Sequence, residues 1–126
     1  MTIAPETTAT GSTEGTATDL KVQLLLADGW LTVCDLSLLT PGRGVAALLP
    51  DGRQAALFRD RAGHTYAVDN RDPFSGAAVL SRGLTGTHQG RPYVASPLLK
   101  QRFDLESGRC LDDPEVAVTV YEVRAA

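Results

Sequence analysis

The sequence predicts an all-β domain, and three observations lead to that prediction. Short segments rich in β-branched and aromatic residues are separated by turn signals, at spacings typical of a sandwich or barrel. The segment from Val116 to Val123 alternates two sets of side chains with a period of two, which is typical of a strand. The one helix candidate, from Asp35 to Leu39, is a single turn at most, since Pro41-Gly42 ends it.

The predicted strands follow the turns in chain order. Pro50-Asp51-Gly52 separates two β-type segments, residues 45–49 and 54–58, and so predicts a hairpin. Three further strands are expected beside the later glycine turns, at residues 65–68, 92–95 and 102–105.

Two regions differ in composition. Residues 1–19 are rich in threonine and contain no aromatic residue, so they bury too little surface to offset the entropy of ordering. We expect a disordered tail over 1–19 and one domain over 20–126. No apolar run approaches the length of a membrane span, and no signal peptide is recognised, so we expect a cytoplasmic protein.

Charge is segregated along the chain, although the net charge is only −3. From Asn70 to Arg102 the only acid is Asp72, and the bases are Arg71, Arg82, Arg91, Lys100 and Arg102. If the fold gathers this segment at one end, that end attracts an acidic partner surface. Because no aromatic residues are interleaved with these bases, a nucleic-acid partner is not expected.

The usual catalytic and metal-binding patterns are missing from the sequence. It has no phosphate-binding loop, dinucleotide fingerprint or nucleophile elbow. The two histidines, His64 and His88, lie in polar stretches and are expected at the surface. The two cysteines, Cys34 and Cys110, have no CxxC partner, so two buried thiols are expected, with a disulfide as the alternative.

Two loops nevertheless carry a recognisable pattern, Asn-Arg-Asp-Pro-Phe-Ser-Gly at 70–76 and Ser-Pro-Leu-Leu at 96–99. They resemble the CxH and CxxH loops of Rieske domains, which bind a [2Fe–2S] cluster through two cysteines and two histidines. Asp72 and Phe74 take the ligand positions of the first loop, and Ser96 and Leu99 those of the second. The resemblance implies a Rieske-like β-sandwich with a small loop-rich subdomain at an emptied cluster site, and no cofactor or metal in this chain.

Longer blocks narrow the resemblance. Those at residues 30–36, 70–74, 79–83, 95–103 and 108–111, taken together, are similar to the small subunit of assimilatory NAD(P)H-dependent nitrite reductase. The match runs roughly from Trp30 to Arg124. It implies a large-subunit partner that carries FAD, siroheme and an iron–sulfur cluster and reduces nitrite to ammonium. Because the usual catalytic motifs are missing, we expect no catalytic site of its own in this chain.

The emptied loops suggest a hypothesis about the site. We expect Phe74 and Leu99 to pack on each other, so that apolar burial replaces coordination, and Asp72 to accept backbone N–H groups within its loop. The candidate docking surface is Arg71, Phe74, Arg82, Lys100 and Arg102. The alternatives are that Phe74 is an ordinary core residue and that the bases are a solvated rim.

Three functions remain open from the sequence. The first is an accessory subunit that docks on the large subunit of nitrite reductase. The second is a general β-domain interaction module. The third is a genuine Rieske electron carrier, which the four substituted ligand positions oppose.

Overall fold

The structure, a computed structural model, describes residues 2–3 and 20–126. The strands are β1 (Thr2–Ile3), β2 (Lys21–Leu26), β3 (Gly29–Asp35), β4 (Val45–Leu48), β5 (Gln54–Arg59), β6 (Thr65–Asp69), β7 (Leu84–His88), β8 (Arg91–Ala95), β9 (Arg102–Asp104), β10 (Val120–Tyr121) and β11 (Val123–Ala125). The described helical elements are two 3-10 turns, Leu36–Leu38 and Leu80–Arg82. The all-β prediction is confirmed, and the helix candidate is the first 3-10 turn.

The strands form three sheets. The first has five strands in the order β1-β4-β5-β6-β10, and the other two have three strands each, β11-β2-β3 and β7-β8-β9. β1 pairs with β4 in parallel, and the other strand pairs are antiparallel. The predicted hairpin is confirmed as β4–β5, in which Leu48 pairs with Gln54, and Gly52 supplies the left-handed residue of the turn at φ +92°.

β5, the central strand of the first sheet, is buried on both faces, which is why residues 55–58 are all apolar. Ala55 and Leu57 belong to one core cluster, which packs against the sheet of β2 and β3. Ala56 and Phe58 point to the opposite face and belong to a second cluster beneath β8 and β9. The third sheet and the loops beside it form the small subdomain that carries the two loops of interest.

The predicted strand from Val116 to Val123 is shorter and divided. Val120 pairs with Val68 of the first sheet, whereas Val123 pairs with Leu24 of the second. The chain therefore crosses between two sheets at Glu122, and one continuous strand cannot serve both. The predicted tail, residues 1–19, lies outside the described residues except for Thr2–Ile3.

Within residues 2–3 and 20–126, no helix has the length and the hydropathy that a membrane crossing requires.

Candidate functional site: two loops joined by a hydrogen bond

The two loops that resemble cluster-binding loops meet in the structure. The first follows β6 and the second follows β8. The Ser96 hydroxyl donates a hydrogen bond of 2.6 Å to Oδ2 of Asp72, and both side chains are fully buried. These are the two residues that the loop resemblance matches to cysteines. On that match, a direct hydrogen bond joins the loops where metal ligation joins those of a Rieske domain.

The first loop is held in shape by Asp72 and by its neighbour Asn70. Oδ1 of Asp72 accepts the Phe74 N–H at 2.8 Å, which confirms the expected turn within the loop. Asn70 is buried, and its side chain donates to Oε1 of Gln54 at 2.9 Å and accepts the Ser81 N–H at 2.7 Å. Sequence reasoning gave Asn70 no role, although its position at the start of the loop was a signal.

The second loop is closed by its own backbone. The Ser96 N–H donates to the Gln101 carbonyl at 2.9 Å, and the Lys100 N–H donates to the Ser96 carbonyl at 3.1 Å. Lys100 has φ +70°, a left-handed conformation that costs a residue with a side chain about 1–2 kcal/mol. The loop keeps this geometry because hydrogen bonds fix both of its ends.

Phe74 and Leu99, which the loop resemblance matches to histidines, lie in environments different from those of Asp72 and Ser96. Phe74 is half-buried and packs against the second core cluster, with its ring centroid 6.2 Å from that of Phe103. Leu99 is 53% exposed. The prediction that Leu99 is buried against Phe74 is therefore wrong. The loops are joined by a buried polar contact, and Phe74 finds its apolar partner in the strand that follows the second loop.

These residues do not fit a [2Fe–2S] cluster. The side chains of Phe74 and Leu99 carry no donor atom, and the oxygens of Asp72 and Ser96 bond to each other. Across the described part of the chain, no group of three or more His, Cys, Asp or Glu residues is arranged to hold a metal ion. Cys34 and Cys110 are buried in different core clusters and form no disulfide, in agreement with the expected buried thiols.

The five members of the candidate docking surface are not equivalent. Arg102 forms an ion pair of 2.9 Å with Asp112, and its hydrogen bonds lower the pKa of that carboxyl group. Arg71, Arg82 and Lys100 are exposed and form no ion pair within residues 20–126. Arg71 donates to the Gly76 carbonyl at 2.9 Å, which holds its guanidinium on the first loop.

Two leucines complete the surface of the second loop. Leu98 is 50% exposed and Leu99 is 53% exposed, and they are consecutive. Sequence reasoning treated Leu99 only as a replaced ligand and gave Leu98 no role. The available signal was an apolar pair that directly follows Pro97 in a loop, where polar residues are usual.

A fold of three β-sheets with two loops of the cluster-binding type defines a Rieske-type domain. The chain belongs to the family described as Rieske-like [2Fe-2S] domain, whose model matches residues 29–126.

Known relatives narrow this class to one group of proteins. The chain is 46% identical over 96 residues to the nitrite reductase (NADH) small subunit of Salmonella typhimurium, and the match covers 75% of this chain and 88% of that protein. The crystal structure of a Mycobacterium tuberculosis protein described as an NADH-dependent nitrite reductase small subunit is 50% identical, with a TM-score of 0.72. That similarity covers 83% of this chain and 86% of the other.

A third relative is a different kind of protein. It is the nitrite reductase NAD(P)H large subunit of Klebsiella oxytoca, which is 46% identical over 95 residues. The match covers 75% of this chain but 10% of that protein. In that protein, a domain similar to this chain is part of the large-subunit polypeptide.

Proposed function

We propose that this chain is the non-catalytic small subunit of a cytoplasmic NAD(P)H-dependent nitrite reductase. In this role it supports the reduction of nitrite to ammonium by a large subunit. The observation that carries the proposal is the 46% identity to a named small subunit over 88% of that protein's length. The related domain within a large-subunit chain supports direct contact between the two components.

The redox groups belong to the partner in this proposal. FAD, siroheme and an iron–sulfur cluster are implied for the large subunit by the family resemblance. This chain contributes binding and no redox step, since Phe74 and Leu99 offer no ligand atoms. Residues 20–126 act as one folding unit, because β5 contributes side chains to both core clusters.

The docking surface is the end of the molecule where the two loops meet. Arg71 and Lys100 lie on the two loops that the Ser96–Asp72 hydrogen bond joins. Arg82 belongs to the 3-10 turn whose Leu80 N–H donates to the carbonyl of Asn70, the first residue of the first loop, at 3.0 Å. Positive charge on adjoining segments favours a partner surface rich in carboxylates, and mainly raises the association rate.

The functional claim is tested by an assay of nitrite-dependent NAD(P)H oxidation. The purified large subunit is assayed with and without this chain at matched concentrations. We expect activity or stability of the large subunit to increase when the chain is added. Equal activity and equal half-life in both conditions would contradict the proposed function, although the fold assignment would still stand.

The docking surface is tested by charge reversal. In the variant Arg71→Glu/Lys100→Glu, we expect weaker co-purification with the large subunit and a smaller effect of salt. The matched control is Arg43→Glu/Arg61→Glu, which reverses two exposed cations outside the basic segment. If both double variants associate with the large subunit like the wild type at low salt, Arg71 and Lys100 are not part of the docking surface.

A further inference from the structure

The second loop presents apolar surface at a position where the backbone is under constraint. Single exposed leucines are common on proteins. Here, however, Leu98 and Leu99 are consecutive, both about half exposed, and directly precede the left-handed Lys100. Strained backbone is retained where the surrounding structure enforces it, and such sites are often functional.

The loop that carries the two leucines is fixed from within. The buried Ser96 hydroxyl donates to Asp72 and also accepts the Leu98 N–H at 3.3 Å. One buried residue thus ties the leucine loop both to itself and to the first loop. A surface held in its binding shape before contact loses less conformational entropy on association.

Exposed cations flank the leucines. Lys100 follows them directly, and Arg71 lies on the adjoining loop with its guanidinium bonded to the Gly76 carbonyl. The nearby acid Asp72 is fully buried, and Arg102 is already paired with Asp112. An apolar centre with positively charged neighbours is complementary to an apolar depression with carboxylates at its rim.

We propose that Leu98 and Leu99 are the apolar anchor by which this chain binds the large subunit of nitrite reductase. The anchor enters an apolar depression bordered by Asp or Glu side chains, while Arg71 and Lys100 meet that border. This inference rests on the proposed function and assigns the binding free energy of that complex to the two leucines. The leucines determine how long the complex lasts, and the cations determine how fast it forms.

The test measures the dissociation constant for the purified large subunit, with the full-length chain as wild type and as Leu98→Ser/Leu99→Ser. We expect the double variant to bind at least about tenfold more weakly at both low and high salt. The matched control is Leu25→Ser, which changes a leucine 38% exposed on β2, outside the small subdomain. It is expected to bind like the wild type.

The possible outcomes separate the two proposals. If the wild type binds and the double variant binds equally well, the anchor is overturned and the small-subunit role stands. If the wild type does not bind the large subunit at all, the proposed function fails and the anchor fails with it. If sedimentation shows that the leucines instead join two copies of this chain, a self-contact replaces the anchor. If the double variant does not fold, the dissociation constant of the single variant Leu98→Ser is measured instead and decides between these outcomes.

Discussion

At the scale of single residues, the Ser96–Asp72 hydrogen bond is the feature that sets this site apart. A structural metal such as zinc contributes roughly 10–16 kcal/mol to small domains, whereas one hydrogen bond contributes about 0.5–3 kcal/mol. The bond alone is therefore a weak replacement for a cluster. The buried Asn70 and the backbone closure of the second loop supply additional bonds that hold the two loops.

Replacing Ser96 with alanine tests this bond. The change leaves a buried carboxyl oxygen of Asp72 without its donor, so we expect the free energy of unfolding to fall by about 1–3 kcal/mol. Chemical denaturation measures the loss. The control Ser37→Ala alters an exposed serine and is expected to stay within about 0.5 kcal/mol of the wild type. Equal stability of both variants would contradict the role of the bond.

Asp104 is a second buried carboxyl group with several partners. Burial opposes its ionisation most strongly, but the hydrogen bonds from Arg91 and from the N–H groups of Ser107 and Glu106 outweigh burial and lower its pKa. A lowered pKa in the folded state stabilises the fold at neutral pH. That stabilisation disappears as the pH falls below the ordinary aspartate value and through the lowered one.

The variant Asp104→Asn checks this dependence. At neutral pH we expect it to be less stable than the wild type by on the order of 1–3 kcal/mol, since it loses the charged partner of Arg91. The difference narrows in acid, because the Asp104 carboxyl of the unfolded wild-type chain becomes protonated below its ordinary pKa while the folded chain still holds the carboxylate. Denaturation curves at neutral pH and near pH 3 measure both values. A difference that stays constant over this range would show that charge is not the cause.

At the scale of elements, the close approach between the turn at Leu80–Arg82 and β8 shapes the small subdomain. Gly83 ends that turn, and a Cβ atom there would lie 2.2 Å from the backbone carbonyl oxygen of Ala95 and 2.8 Å from Cγ2 of the buried Val94. The glycine is needed for space, since its backbone conformation at φ −77° is open to any residue. The turn thus contacts the sheet at a distance that leaves no room for a methyl group.

Gly83→Ala is expected to cost at least about 1–3 kcal/mol, because the added methyl group would meet the backbone carbonyl of Ala95 and would also overpack the contact with Val94. A double-mutant cycle with Val94→Ala separates the two contacts. Trimming the valine leaves the carbonyl in place, so we expect the Gly83→Ala chain to stay strongly destabilised when Val94→Ala is added. Full rescue in thermal or chemical unfolding would show that the valine alone causes the strain.

The sequence predicted elements whose signals are local. The β4–β5 hairpin was recognisable because Pro50-Asp51-Gly52 specifies a turn between two apolar runs. The division of the last predicted strand at Glu122 was not recognisable. The alternation of side chains around Glu122 is the same whether the strand stays in one sheet or moves to the next. Period-two patterning reports which face is buried and not which partner covers it.

The candidate site was likewise predictable only where its signals lie close together in the sequence. The spacing of the two loops predicts that Asp72, Phe74, Ser96 and Leu99 stand at replaced ligand positions. It did not reveal that Ser96 bonds to Asp72, because that contact joins residues 24 positions apart. Nor did it reveal the exposure of Leu99, which depends on how the second loop closes on itself.

At the scale of the whole molecule, folding partly cancels the charge segregation of the sequence. Arg91 pairs with Asp104 and Glu106, and Arg102 pairs with Asp112. These acids come from the acidic segment that follows the basic one. The exposed cations of the basic segment that form no ion pair within the described residues are Arg71, Arg82 and Lys100.

Metal chelation is expected to leave the molecule unchanged. The donor set at the loops does not suit a cluster, so a chelator is predicted to have no effect on the free energy of unfolding. The purified chain is also expected to show no visible absorption from iron–sulfur bonds. Recovery of iron and acid-labile sulfide in stoichiometric amounts would overturn this expectation and the account of the loops with it.

The Ser96–Asp72 bond forms when the chain folds and draws on nothing outside the chain. A domain closed in this way would need no cluster-assembly machinery and would offer no sulfide for oxygen or peroxide to attack. We therefore expect its folding yield to be the same in cells grown with and without iron.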